Sequence, residues 1–192
     1  MAQPVPSFTG LLIHRDLRYQ YSLFVPDGWH RLDTSASDTS GVLYVPSTDD
    51  TLTGLSIEAS DLGTTVTTAD LPAFKSGLLK GIRRLPQARI ESSEAEAVGT
   101  LLTMEVRHTF HEGDAVRKRW IRLLYQGSTQ LRLVAQGSTP EAFDYWLPMF
   151  FESMRTVRFG DWWFDVVGRG WAERVWEPAP PAIADGQAVT QE

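Results

Sequence analysis

The side chains best suited to metal ligation or proton transfer in this sequence are four histidines, His14, His30, His108 and His111. Only His108 and His111 are close, and on a strand a spacing of three sends them to opposite faces. A zinc ion needs two ligands on one face, or on a helix at i and i+4. The expectation is no metal: one half-buried histidine and one near a hairpin end. The chain has no cysteine, which removes disulfides, thiolate metal sites and a cysteine nucleophile. Gly-x-Ser-x-Gly does not occur. The steps Gly127-Ser-Thr and Gly137-Ser-Thr read as a hairpin turn and a helix start. Neither G-x-G-x-x-G nor a P-loop occurs, so those phosphate cradles have no support.

Glu91, Glu94 and Glu96 supply carboxylates, and Glu94 and Glu96 share a strand face. General acid–base work would need one of them desolvated, whereas their serine and alanine neighbours predict solvent. A hydrolase using His108 with Glu105 or Asp114 would need a cleft with convergent polar groups, where the pattern predicts a hairpin surface. A basic stripe runs through Arg117, Lys118, Arg119 and Arg122, with Arg107 across a hairpin and Arg132 on the next strand. Alternation puts Arg117 and Arg119 on one face, where Arg107 is placed to join them. The stripe suits phosphate or an acidic partner. Cross-strand pairing with Glu105 and other acids is the favoured reading.

Tryptophan is concentrated near the C-terminus, where Trp162, Trp163, Trp171 and Trp176 account for four of seven. Trp163, Val167, Trp171 and Val175 recur every four residues, one helical face, although Gly168 and Gly170 weaken a helix. The segment either folds back over an apolar sheet face or presents aromatics to a partner. Tryptophan and arginine are enriched at binding hot spots, and Arg169 and Arg174 lie among these rings. A membrane surface is a third reading, opposed by Asp161, Asp165, Glu173 and Glu177.

The elements that must position these groups follow from length and periodicity. The 192 residues suit one domain, and the 42% apolar and 22% charged residues suit a globular one. The net charge of −6 argues against a nucleic-acid partner. No apolar run nears the roughly 18 residues of a spanning helix. The first residues show no basic n-region or apolar core, so the expected location is the cytoplasm. Residues 1–17 are expected to be an arm. Tyr19, Tyr21, Leu23 and Val25 alternate as a strand, and Pro26-Asp27-Gly28 ends it with Trp29 anchoring the chain. Strands are expected at 41–45 and 53–60. Leu71, Phe74, Leu78, Ile82 and Leu85 predict a helix over 70–84. An acidic edge strand at 89–97 and an antiparallel meander follow. In it Leu102, Met104, Val106, His108 and Phe110 face one way. A Ser138 cap before Pro140 and Glu141 opens a second helix, which Pro148 should kink. A short strand closes the domain at 156–159. Residues 160–177 are the tryptophan-rich segment, and 178–192 are expected to be disordered.

This order resembles the PsbP-like superfamily, which includes the Ran-binding Mog proteins, DcrB-type bacterial proteins and the Eag chaperones of type VI effectors. Three stretches carry the likeness. They are Tyr21-Ser-Leu-Phe-Val-Pro-Asp-Gly-Trp29, the hairpin around Glu112-Gly113-Asp114 with Arg117-Lys-Arg-Trp120, and Phe143–Met154 followed by Arg155-Thr-Val-Arg-Phe159. The resemblance covers residues 18–159. It implies an α+β fold, a central antiparallel sheet with helices on its faces (an α/β/α sandwich). It also implies a non-catalytic, cofactor-free protein that binds another protein, as adaptor, assembly factor or chaperone. The contact residues we would choose are Trp162, Trp163, Trp171 and Trp176, then Arg117 and Arg119. The alternative is a carrier of a small apolar ligand or lipid, in a pocket lined by Met104, Phe110, Phe143 and Phe150.

Overall fold

The structure, a computed structural model, describes residue 6 and residues 10–35 and 39–160. In chain order the elements are β1 (Leu11–Asp16), β2 (Tyr21–Pro26), β3 (His30–Asp33), β4 (Thr39–Val45), β5 (Gly54–Asp61) and, after a 3-10 turn at Thr68–Asp70, α1 (Leu71–Ile82). Then come β6 (Arg89–Val98), β7 (Leu101–Glu112), β8 (Ala115–Gln126), β9 (Thr129–Gly137), α2 (Pro140–Arg155) and β10 (Arg158–Phe159). They form two antiparallel sheets, where a single one was expected. The larger has the order β3-β4-β5-β9-β8-β7-β6, and a small one runs β1-β2-β10.

The meander of β6 to β9 and the edge position of acidic β6 match the sequence pattern. The arm expected over residues 1–17 is overturned at 11–16, which pair with β2 along their whole length. Only His14 in β1 is buried, while Leu11 is exposed, so the strand lacks the apolar alternation that would announce it. Asp16 closes the β1–β2 hairpin by accepting from the Arg18 and Tyr19 amides, both at 2.9 Å.

Two cores sit on the large sheet. One joins Trp120 and Leu124 of β8, Leu131, Leu133 and Ala135 of β9, and β2 to Phe143, Phe150 and Met154 of α2. The other joins Ile121, Leu123 and Tyr125 of β8, Val134 of β9, and β7 to Ile82 of α1. Alternate residues of β8 and β9 enter different cores, because successive side chains point to opposite faces. α2 packs on β2, β8 and β9, whereas α1 meets β6 and β7. One face is therefore covered by α2 together with the small sheet, and the other by α1 near its β6 edge. Trp29 does anchor its turn, edge-on to Trp146 at 5.6 Å and to Phe150 at 5.7 Å.

The seat of α2 is tightly specified. A Cβ at Gly137 would strike the backbone nitrogen of Phe143 and the carbonyl of Thr139. The helix is capped by Thr139, not Ser138: the Thr139 hydroxyl accepts from the Ala142 amide at 3.1 Å. Ser138 instead donates to Asp50 at 2.7 Å, beside Thr53, which donates to the same carboxylate at 2.6 Å. These bonds tie the loop after β4 to the β9–α2 junction. The helix runs unbroken through Pro148. At its far end Arg122 donates to the Met154 carbonyl and pairs with Glu105 at 2.9 Å, which satisfies one of the last carbonyls of the helix.

The small sheet is joined to the large one by His14, which lies 3.0 Å from the Tyr44 hydroxyl and 3.2 Å from that of Tyr21. One ring nitrogen donates while the other accepts from a tyrosine O–H. Burial, and then the Arg31 cation, hold the imidazole at about 4, although Asp16 and Asp33 oppose the shift. Its folded pKa lies below the ordinary value of 6.5. As pH falls through the interval from 6.5 towards 4, the unfolded chain takes up the proton first and stability is lost, by about 1.4 kcal/mol per pH unit. The urea midpoint should drop between pH 7.5 and pH 5, and His14→Gln should shrink that drop. Gly137→Ala should cost roughly 2 kcal/mol by overpacking, read as a lower urea midpoint at constant m-value.

Candidate functional site

Strand alternation does put Arg117 and Arg119 on one face, that of α1, but Arg107 is not with them. Arg107 stands opposite Trp120 in the register and stacks over its ring at 4.2 Å on the α2 face. The ladder pairs Phe110 with Arg117 and His108 with Arg119, so only odd-numbered residues of β8 join the inward run of β7. The expected pairing with acids is found for most of the stripe. Arg117 pairs with Glu112 at 3.1 Å and donates to the Ser138 carbonyl. Lys118 pairs with Asp144 at 2.9 Å and Glu91 at 3.5 Å. Arg132 pairs with Glu58 at 3.3 Å.

Arg119 differs. Its Nε and Nη2 donate to the neutral amide oxygen of Gln136, and its guanidinium lies 4.6 Å from the Phe110 ring centre. Among the described residues no carboxylate forms an ion pair with it. Burial, then the Arg132 cation, draw its pKa down, and Glu112 opposes them. It remains a cation at neutral pH, since arginine starts so high.

Arg119 lines a cleft of about 370 Å³ between α1 and the sheet. Leu78 and Ile82 of α1 and Leu85 just beyond it form one wall, and Ile121, Leu123 and His108 face them. His108 is fully buried, not half-buried as expected, and neither ring nitrogen has a hydrogen-bond partner among the described residues. Burial, then Arg119, hold its imidazole at about 4, so it is neutral at pH 7. Gly77 and Gly81, one turn apart, border the cleft, and a Cβ at either would meet nothing within 4 Å. A neighbouring groove of about 210 Å³ shares Arg119 and Arg132, and continues over Leu43, Leu52, Val134 and Gln136.

Other candidate groups do not converge. Glu105 engages Arg122 on the opposite face from His108, and Asp114 lies in an exposed turn, so no His108–carboxylate pair forms. Glu91, Glu94 and Glu96 are exposed. His111 alternates to the face opposite His108, and among the described residues no group of three His, Asp or Glu side chains could hold a metal ion. The apolar pocket imagined from Met104, Phe110, Phe143 and Phe150 is not assembled. Met104 belongs to the α1-side core, whereas Phe143 and Phe150 fill the α2-side core. Trp162, Trp163, Trp171 and Trp176 lie outside the described residues. The sequence signal for the cleft is His108 itself, a lone histidine in the inward run of apolar residues in β7.

No family model matches the chain, and no curated protein does. Solved structures do. A cyanobacterial PsbP from Synechocystis matches with a TM-score of 0.57 at 15% identity, covering 83% of this chain and 98% of that one. LpqN of Mycobacterium tuberculosis, involved in cell envelope biogenesis, matches at 0.55 and 13% identity, covering 79% and 91%. The Ran-binding protein Mog1p of Saccharomyces cerevisiae matches at 0.50 and 12% identity, covering 79% and 96%. Identities this low speak for the fold and not for the activity. The two-sided packing of the meander and these three likenesses lead to one conclusion: the chain has the PsbP-like, Mog-type fold.

Proposed function

We propose that this protein is a non-catalytic binding module, an adaptor, assembly factor or chaperone, whose partner is an acidic protein segment. The observation that carries this reading is the unevenly covered large sheet. On the α1 side, β4, β5 and β9 present a strip where exposed Leu52 and half-buried Leu43 stand beside Arg119 and Arg132. With Arg132 paired to Glu58, Arg119 is the strip's one cation that no carboxylate pairs with among the described residues, a local departure from the chain's net charge of −6 that favours a carboxylate. Arginine is enriched at contact sites, and the leucines beside it offer apolar area to bury. The fold supports the reading too, since a neighbour of the same architecture is described as Ran-binding. Trp162, Trp163, Trp171 and Trp176, which follow the domain in sequence, are proposed as a second contact element.

Three variants test this. Leu52 and Arg132 are both exposed enough for substitution without disturbing a core. A partner identified by cross-linking to the full chain should be bound about tenfold more weakly by Leu52→Asp and by Arg132→Glu, and more weakly at high salt. Loss only on truncation after Phe159 would move the contact to the tryptophan-rich segment. Equal binding by all three variants would overturn the proposal.

A further inference from the structure

We propose that the cleft between α1 and the sheet is a receptor for a small carboxylic acid with an apolar body, its carboxylate held by Arg119 and hydrogen-bonded by His108. The site goes beyond the protein-docking strip, although Arg119 and Arg132 border both.

Three observations place the carboxylate. His108 is 0% exposed, lines the cleft and leaves both ring nitrogens without a partner among the described residues. Buried polar atoms almost always find one, so an orphan imidazole facing a cleft points to a missing ligand atom. Arg119 stands directly across the ladder from it. Gln136 occupies its Nε and Nη2 and leaves Nη1 for another acceptor. A guanidinium whose one acceptor among the described residues is a neutral amide is matched by an anionic oxygen.

The walls choose the rest of the ligand. Leu78, Ile82, Leu85, Ile121 and Leu123 offer hydrocarbon, which suits an alkyl or aryl body. A dianionic phosphate would bring two charges to one available cation, so a single carboxylate is the better match. The rim keeps the entrance open. Gly77 and Gly81 sit inside α1, where glycine is among the least favourable residues, and their missing side chains face empty space. Larger residues there would close the cleft without striking anything.

Octanoate, 1-octanol and inorganic phosphate are the probes, titrated into the isolated full chain and followed by amide NMR shifts and calorimetry. Octanoate should shift the amides of Gly77, Gly81, His108 and Arg119, and 1-octanol should bind at least about tenfold more weakly. Arg119→Gln should weaken octanoate by about tenfold or more. Gly81→Leu should abolish its binding while the melting temperature holds or rises, since leucine favours helix. His108→Leu should keep the fold, having no hydrogen bond to lose, and still weaken octanoate. Octanoate that moves none of these amides overturns the proposal. So does 1-octanol or phosphate binding as tightly as octanoate, or unchanged affinity in Gly81→Leu. Because no partner protein is present, failure here leaves the docking strip untouched, and failure there leaves this cleft untouched.

Discussion

The fold depends on β8 and β9 being buried on both faces. Trp120 and Leu124 serve one core while Ile121, Leu123 and Tyr125 serve the other. Strands central to a sheet with two covered faces cannot slip by a residue, because a slip would exchange both sets at once. The same alternation divides the basic stripe. Arg122, on the α2 face, turns inward to the end of α2 and to Glu105. Arg119, three residues earlier and on the α1 face, is left with an amide. Two charges three residues apart on one strand thereby acquire opposite duties, one structural and one available for recognition.

The two faces are covered by different means. α2 is pressed onto the sheet so closely that Gly137 admits no side chain, and its neighbours β1, β2 and β10 complete the cover. The cost of that closeness is a polar junction that must be satisfied locally. Asp50, Thr53, Ser138 and Thr139 do this through short hydrogen bonds. α1 is seated more loosely, and Ile82 is its single buried residue. The helix leans on β6 and β7 and leaves a cleft at its glycine-bearing flank. The difference between a tight and a loose helix explains why the candidate sites lie on the α1 side.

Buried polar groups mark the boundary between structure and site. His14 and His108 are both buried and both held near 4. His14 is bracketed by two tyrosine hydroxyls and joins two sheets. His108 has no such bracket, and a leucine in its place would fill the core at least as well. Burial alone does not separate these roles; the presence or absence of a bonded neighbour does.

Much of the fold was legible in the chain itself. The stripe of α1, the β6–β9 meander, the inward run ending in His108 and Phe110, and the anchoring Trp29 all follow from periodicity and turn residues, which are local properties. So did the placement of Arg117 and Arg119 on one face, since strand alternation is exact to the residue. The strand at 11–16 was not legible, because its one buried side chain is a histidine whose partners come from β2 and β4. The cap at Thr139 was not either, since Ser138 is claimed by Asp50 from 88 residues away. The separation of Arg107 from Arg119 and the meeting of His108, Arg119 and α1 in one cleft required the register of β7 on β8 and the seating of α1. Those are set by which side chains pack across the sheet, and no local pattern in the sequence encodes that pairing.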